Sequence, residues 1–198
     1  MSTGPDRFRT AIDLIDAANA ADPTTVIDAG APVPAELLYS RRMTAWLDRL
    51  YPHASEPLKL AARAQHIRRW EHPRSAYPMD RIGYLKWRTV LYTFHADTTA
   101  ALLRKAGYDD ETVSRVRSLL KKERIKTDAD AQALEDTICL CFLENYFADF
   151  APRHDEDKVI GILRKTWGKM SEVGHAAALK LPMEPEAARL VEKALAGA

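Results

Sequence analysis

The sequence contains only two cysteines, Cys139 and Cys141, and they stand two positions apart in an apolar run. Helical side chains at this spacing diverge, which argues against a disulfide between them. Long hydrophobic runs are also missing: the longest, around residues 137–143, is far below the ~20 residues that a membrane-spanning helix requires. The opening MSTGPDRFRT is charged where a secretory signal is apolar. We expect a soluble, cytoplasmic protein with no membrane partner.

Neither sign of charge dominates the chain, which has 29 Lys and Arg residues against 28 Asp and Glu residues. This balance gives no strong nucleic-acid signal, and a hydrophobic content of 46% excludes an extended disordered chain. The length of 198 residues is near that of one domain of ~150 residues, so a single domain is expected. A glycine-rich phosphate loop and a serine nucleophile elbow are missing, which argues against P-loop and α/β-hydrolase chemistry.

Helical periodicity recurs along most of the chain, whereas alternating strands bounded by tight turns do not appear. The fold class predicted is therefore all-α, a single-domain helical bundle. The predicted helices run from Asp6 to about Ala21, from Pro34 to Tyr51, from Ser55 through His66, from about Asp80 to Lys105, from Asp109, from Asp128, from Asp155 to about Leu179, and from about Glu184. A Gly/Pro-bearing loop is expected after the first helix, and residues 71–78, EHPRSAYP, are expected to form a rim loop over a pocket.

Three short segments place a histidine or a carboxylate beside apolar helix positions: His66 in AARAQHIRRW, His95 in FHADTTA and Asp136 in ALEDTICLCFLE. Metal ligands must come from different helices, because adjacent positions on one helix point apart. The pattern predicts that the three side chains converge on a divalent metal, for which Mn, Fe, Zn, Ni or Mg is suitable. Each histidine taken alone is also explained as a structural residue near the core.

The order of these segments resembles that of the HD-domain superfamily of metal-dependent phosphohydrolases, over about residues 37–144. LKLAARAQHIRRW is similar to the segment with that family's His-Asp pair, and LEDTICLCFLE to the segment with its last Asp. The intervening HADTTAALLRKAGYDDETVSRVRSLLKKE resembles its His-initiated helix, Gly turn and following helix. The resemblance implies an HD-domain-like core at about 37–150 and a C-terminal helical extension at 151–198.

The resemblance also assigns residues by position. Gln65 and His66 stand where that family has its His-Asp pair, and Glu123 falls near another of its histidines. The family's first His falls near Arg41 or Arg42. Taken whole, the chain resembles an uncharacterised family, domain of unknown function 4202, through YSRRMTAWL, AARAQHIRRW, HPRSAYP, GYLKWR and KTWGKMS. That second resemblance implies a fold and no reaction.

A further group of residues combines arginines and lysines with aromatic rings. Guanidinium groups hold phosphate in a fork, lysines supply point charge, and aromatic rings stack on bases. We expect a small anionic or phosphorylated, nucleotide-like ligand. The residues assigned to bind it are Arg42, Arg69, Arg74, Tyr77 and Lys165. The alternative is that the aromatic residues belong to the core and the charges to solvated helix faces.

These expectations combine into one leading hypothesis and two alternatives. The leading hypothesis is a metal-dependent phosphohydrolase in which the metal activates a water, with Glu123 and Glu135 as assisting catalytic residues. The first alternative, motivated by the missing His-Asp pair, is a degenerate HD-like module that binds a ligand or a protein without catalysis. The second is an HD-like iron oxygenase.

Overall fold

The structure is a computed structural model that describes residues 4–124 and 127–196. It is an all-α bundle with one small antiparallel hairpin, which confirms the predicted fold class. The helices are α1 (Gly4–Ala20), α2 (Ala35–Leu50), α3 (Glu56–Ala64), α4 (Arg81–Lys105), α5 (Asp110–Leu120), α6 (Ala129–Asn145), α7 (Phe147–Phe150), α8 (Glu156–Trp167), α9 (Glu172–Ala178) and α10 (Pro185–Leu195). The strands are β1 (Thr25–Asp28) and β2 (Ala31–Pro34), and single 3₁₀ turns lie at Arg69–Glu71, Arg74–Ala76 and Ala151–Arg153.

The helix starts follow from side chains that accept the first free backbone N–H groups. Ser55, Asp80 and Asp109 each accept from the N–H three residues on, at 3.2, 2.7 and 2.7 Å. Asp128 accepts from the N–H groups of residues 130 and 131 in the same way. Because each cap satisfies a donor that the helix itself cannot, these four boundaries are readable from the sequence.

The segment after α1 was expected to be a loop and is instead a hairpin, so that prediction was wrong. Strand β1 pairs with β2 in register from Thr25 opposite Pro34 to Asp28 opposite Ala31. The connecting residues Ala29 and Gly30 both have positive φ, 48° and 82°. A two-residue turn with two positive φ angles matches the twist of a hairpin, but alanine is an unusual residue in its first position. Of the two turn residues, only Gly30 is of a type that usually marks a hairpin turn in a sequence.

The core forms around α3 and α6. Helix α3 packs against α1, α2, α5 and α6, and its alanines Ala61, Ala62 and Ala64 are fully buried. Small side chains allow neighbouring helices to approach closely at such positions. Helix α6 buries residues around much of its circumference, as expected of a helix that is central in a bundle. Helix α4 has 25 residues, so it extends about 37 Å, and it packs along α5.

Two helices end earlier than the periodicity predicts. Helix α3 stops at Ala64, so His66 lies in the turn that follows and not on the helix. The predicted helix at 155–179 is divided into α8 and α9, because Ser171 caps α9 by accepting from the N–H of Gly174 at 3.2 Å. The capping hydroxyl competes with continuation of the helix, which periodicity alone does not reveal.

The C-terminal part consists of α8, α9 and α10. Helix α10 packs against α8, and α9 packs against α6. Arg189 and Lys193 of α10 both form ion pairs with Glu156 of α8, and Arg164 donates to the backbone oxygen of Ala194. Among the residues described, no helix is both long enough and apolar enough to cross a membrane.

Helix α9 is held to α6 by the fully buried carboxylate of Asp136. Its Oδ1 accepts from the backbone N–H of Ser171 at 2.8 Å and from Gln132 at 3.1 Å. Its Oδ2 accepts from the Ser171 hydroxyl at 2.5 Å and from the Tyr51 hydroxyl at 2.6 Å. Burial and the hydrogen bond to Asp136 raise the pKa of Tyr51 to about 12, so its proton stays available to donate. Four donors thus satisfy one buried charge.

Gly174 allows this approach. A Cβ at position 174 would lie 2.7 Å from Oδ1 of Asp136, closer than non-bonded atoms come. Gly174→Ala must displace a fully hydrogen-bonded carboxylate, so we expect it to destabilise the protein by about 1–3 kcal/mol. The free energy of unfolding by urea measures this.

Gly161 provides the matched control. It lies inside α8, and a Cβ there would have no atom within 4 Å. Gly161→Ala should stabilise the protein by roughly 0.5–1 kcal/mol, because alanine restricts the unfolded chain and favours the helix. Equal effects of the two substitutions would mean that the contact with Asp136 does not limit packing.

Candidate functional site

A cleft of about 240 Å³ opens beside α4 and α6. The turn after α3 and the segments around positions 122 and 166–169 complete its walls. Its lining residues are Gln65, His66, Arg69, Tyr84, Trp87, Arg88, Leu91, Tyr92, His95, Lys122, Glu135, Ile138, Cys139, Phe142, Thr166 and Lys169. Histidines, cations and aromatic rings are therefore brought together from distant parts of the sequence.

A second cavity, of about 300 Å³, lies between α8, α9 and α10. Leu163, Trp167, Met170 and Met183 are among its lining residues, and Glu192 is the one charged residue of that lining within the described chain. Convergent polar and titratable side chains therefore line the cleft and not this cavity.

The cleft is positively charged. Arg69, Arg88, Lys122 and Lys169 line it, against the single lining carboxylate of Glu135. Lys122 Nζ lies 2.6 Å and Lys169 Nζ 3.5 Å from that carboxylate. Burial alone would raise the pKa of Glu135, but the two lysines outweigh burial and lower it. The carboxylate therefore stays charged and neutralises only part of the positive charge around it.

Two arginines contribute charge that carboxylates compensate weakly. Arg69 lies 3.9 Å from Glu36 and stacks over the ring of Trp87 at 5.1 Å from its centroid. Arg88 donates to the hydroxyl of Tyr92 and lies over the ring of Tyr84. Within residues 4–124 and 127–196 no carboxylate forms an ion pair with Arg88. Arg88 is thus available to an anion that enters the cleft.

His95 presents an unpaired nitrogen in the cleft wall. Its side chain is 3% exposed, and its Nδ1 lies 2.9 Å from the backbone oxygen of Ile67. A carbonyl oxygen accepts hydrogen bonds, so Nδ1 carries the proton and Nε2 keeps its lone pair. Burial, followed by the neighbouring His66, lowers the pKa of His95 to about 3, which keeps the ring neutral. Nε2 has no hydrogen-bond partner among the described residues.

His66 lies next to His95, with 6.1 Å between the ring centroids. Its ring stacks on Tyr39 at 3.9 Å, and its Nδ1 lies 3.4 Å from a carboxylate oxygen of Glu36. Burial lowers the pKa of His66, with Arg69 as the second cause. Burial also raises the pKa of Glu36 to about 7, although Arg69 opposes the change. Both histidines are therefore neutral near pH 7, and Glu36 is partly protonated.

Two residues beside the cleft have left-handed backbone conformations. Arg68, adjacent to Arg69, has φ 52°, and Lys122 has φ 59°. The Arg68 N–H donates to the side-chain oxygen of Asn19 at 3.1 Å, which holds the turn in place. Such conformations cost free energy in residues other than glycine and are found preferentially at functional sites. Here they direct two chain segments toward the cleft.

The predicted site residues divide into two groups. His66, His95, Arg69 and Glu135 line the cleft together. Asp136 does not, since both of its oxygens bind Tyr51, Ser171 and Gln132. The predicted convergence of His66, His95 and Asp136 is therefore wrong for Asp136, whose side chain faces away from the cleft because successive helix positions are rotated by about 100°.

Further predicted residues have structural contacts elsewhere. Glu123 is exposed and accepts from the hydroxyl of Ser118 at 2.8 Å. Arg42 forms an ion pair with Asp28 of the hairpin. Each is outside the cleft lining, so neither is positioned for the role assigned to it.

Arg74 stabilises the predicted rim loop at residues 71–78 by hydrogen bonds to nearby backbone oxygens. Arg74 donates to the backbone oxygens of Tyr77 and Asp80 at 3.0 and 3.2 Å, and neither Arg74 nor Tyr77 lines the cleft. Lys165 is exposed on α8 outside the lining, whereas Lys169, four positions later, belongs to it. Of the predicted cations, only Arg69 lines the cleft, together with Arg88, Lys122 and Lys169.

The donor set does not fit a three-ligand metal centre. Among the residues described, no group of three His, Cys, Asp or Glu side chains is arranged to hold a metal ion. Glu135, the carboxylate nearest in sequence to Asp136, is held by Lys122, and Glu36 faces Nδ1 of His66. The two histidines thus have no third protein ligand on their side of the cleft.

Sequence reasoning missed Lys122, Glu36 and the pairing of Lys169 with Glu135. Lys122 stands in the run KKER after α5, where nothing distinguishes it from a solvated lysine. Glu36 reads as an ordinary acidic residue in the first turn of a helix. Their roles depend on distant contacts that local patterns do not contain.

Fold and cleft together define an all-helical protein with a cationic, histidine-lined cleft. The chain belongs to the family described as Domain of unknown function (DUF4202), whose model matches residues 9–191. No curated protein and no solved structure gives a match.

The raised pKa of Glu36 predicts a pH effect on stability. The folded protein keeps this proton up to about pH 7, above the ordinary value of 4.5, so its contribution is complete below pH 4.5 and is lost as the pH rises through 7. Glu36→Gln removes the titration and keeps the size. As the pH rises from about 5 to 8, the free energy of unfolding of the variant should increase by up to about 3 kcal/mol relative to that of wild type. Urea unfolding at each pH measures this difference.

Glu123→Gln is the control for loss of one negative charge, because Glu123 is exposed and outside the cleft. It should not reproduce the trend of Glu36→Gln. If the free energies of unfolding of wild type and Glu36→Gln differed by the same amount at every pH in this range, the burial argument would be contradicted.

Proposed function

We propose that this protein binds a small phosphorylated molecule in the cleft, with the phosphate held between Lys169, Arg69 and Arg88. The observation that carries the proposal is the imbalance of charge in the lining, where four cationic side chains face one carboxylate. Charges in a partly enclosed cleft are screened less than charges on an open surface. An anion that enters therefore gains more there than elsewhere on a chain of net charge +1.

The two arginines suit a phosphate group in particular. A guanidinium presents a planar fork of N–H donors that matches two phosphate oxygens, and lysines add point charge. Arg88 is already oriented by Tyr92, and Arg69 by Trp87, so less conformational freedom is lost on binding. Arginine side chains that are already oriented favour specific binding of a phosphate group over nonspecific attraction of anions.

Aromatic side chains line the remainder of the cleft and favour a ligand with a flat or apolar portion. Tyr84, Trp87, Tyr92 and Phe142 all contribute to the lining. Rings of this kind stack on bases and cover apolar surfaces. A nucleotide-like molecule combines both properties, which is why it belongs to the proposed class.

Ligand binding fits the geometry better than metal-dependent phosphate ester hydrolysis or iron-dependent oxygenation. Both of those reactions require protein ligands that converge on a metal, and the two histidines have no third donor among the described residues. A cytoplasmic location is part of the same proposal. It is supported by Cys139 and Cys141, which are both buried and unpaired.

Methyl phosphate is the simplest probe, because it offers the anion with no ring or hydroxyl. It should raise the melting temperature and bind measurably by calorimetry, and added salt should weaken both effects. Lys169→Gln should weaken binding about tenfold through loss of a charge-assisted contact. Lys165→Gln is the matched control, since it removes the same charge four positions away outside the lining.

Equal losses in the two lysine variants would show that only overall charge matters. Failure of methyl phosphate, inorganic phosphate and phenyl phosphate to bind wild type would overturn the proposal.

A further inference from the structure

Two buried acceptor atoms, each on a residue that lines the cleft, have no hydrogen-bond donor among the residues that the structure describes. They are Nε2 of His95 and Oε1 of Gln65, and both side chains line the cleft. Gln65 is 5% exposed and His95 3%. Buried polar atoms are almost always hydrogen-bonded in native proteins, so a pair of unsatisfied acceptors in one wall calls for a partner that carries donors.

The protein itself fixes His95 as an acceptor. The backbone oxygen of Ile67 requires the proton of His95 on Nδ1, so the lone pair of Nε2 remains for the partner. The other unsatisfied buried side-chain atoms found in the described chain, on Arg7 and Asn19, are nitrogen donors and lie outside the cleft. Both unpaired acceptors found in the described residues thus belong to side chains of the cleft wall.

We propose that the phosphorylated ligand also carries hydroxyl groups, as a sugar phosphate or a ribonucleotide does, and that these hydroxyls donate to His95 and Gln65. The inference rests on the proposed phosphate site and adds the recognition of a second part of the same molecule. Gln65, His95 and Arg69 line the same cleft, so the hydroxyls and the phosphate that Arg69 holds belong to one molecule bound there.

The positive charge of the cleft favours a neutral hydrogen-bond donor over a positively charged one. An ammonium group could donate to both acceptors, but Arg69, Arg88, Lys122 and Lys169 would repel it. A neutral hydroxyl satisfies the acceptors without that repulsion. A phosphate monoester dianion has no proton of its own to donate, so the hydroxyls must come from the rest of the molecule.

Calorimetry at about pH 8 tests this with methyl phosphate and glycerol 3-phosphate, which share the dianion and differ in hydroxyl groups. We expect glycerol 3-phosphate to bind about tenfold more tightly than methyl phosphate, as two neutral hydrogen bonds to otherwise unsatisfied atoms would give. Gln65→Leu and His95→Phe each remove one acceptor and should each reduce the ratio to about threefold. Both should lower the affinity for glycerol 3-phosphate more than the affinity for methyl phosphate.

The result separates the two proposals. If methyl phosphate binds and glycerol 3-phosphate binds no more tightly, the phosphate site stands and hydroxyl recognition is overturned. If neither binds, the phosphate site itself fails. A full tenfold ratio in Gln65→Leu and in folded His95→Phe would also overturn the inference, because water would then satisfy the acceptors. Should His95→Phe not fold, Gln65→Leu decides alone.

Ribose 5-phosphate and AMP test whether the hydroxyl-bearing ligand is a sugar phosphate or a ribonucleotide. Both supply hydroxyls beside a phosphate, and only AMP adds a base that could stack on Trp87 or Tyr84. Tighter binding of ribose 5-phosphate than of methyl phosphate supports hydroxyl recognition, and tighter binding of AMP supports it where Gln65→Leu reduces the gain. The stronger of the two identifies the ligand as a sugar phosphate or a nucleotide, and binding of both no tighter than methyl phosphate overturns the inference.

Discussion

The buried carboxylate of Asp136 joins three separate parts of the chain, because it accepts hydrogen bonds from Tyr51 after α2, from Ser171 before α9 and from Gln132 on its own helix. Gln132 also donates to the backbone oxygen of Lys169 at 2.9 Å. The segment that carries Lys169 is thereby fixed to α6. The neighbouring Glu135, directed to the other side of the same helix, meets the Lys169 side chain there. The position of one cleft cation thus depends on a carboxylate outside the cleft.

Burial has opposite consequences for the acids and bases of this region. It keeps His66 and His95 neutral, and it favours the protonated form of Glu36. Glu135 is the exception, because Lys122 and Lys169 compensate its burial with positive charge. The cleft therefore combines arginine and lysine side chains with neutral imidazoles.

The elements that the sequence predicted correctly are those whose signal is local. Caps such as Asp80, Asp109 and Asp128 act within three residues, so helix starts could be placed to within a residue. The left-handed Gly107, with φ 88°, ends its helix for a similarly local reason. The hairpin was missed because Ala29 occupies a turn position that glycine, asparagine or aspartate usually fills.

The candidate site was predicted only in part, because it depends on which side of a helix faces which neighbour. The adjacent acids Glu135 and Asp136 point to different sides of α6. Because α6 is buried on most sides, its hydrophobic periodicity does not reveal which of the two side chains faces the cleft. Lys165, the predicted lysine, lies outside the cleft lining, whereas Lys169, four positions later, belongs to it. Membership of the DUF4202 family is confirmed, whereas the resemblance to the HD-domain superfamily stays a prediction.

The left-handed residues Arg68 and Lys122 place the stability of the fold and the shape of the cleft wall in opposition. Glycine at either position would relieve about 1 kcal/mol or more of backbone strain and would leave the helices unchanged. At position 122 it would also remove the cation that balances Glu135, and at both positions it would widen the range of conformations open to the cleft wall. Two strained residues beside the cleft thus narrow the range of conformations open to its wall, at a cost in the stability of the fold.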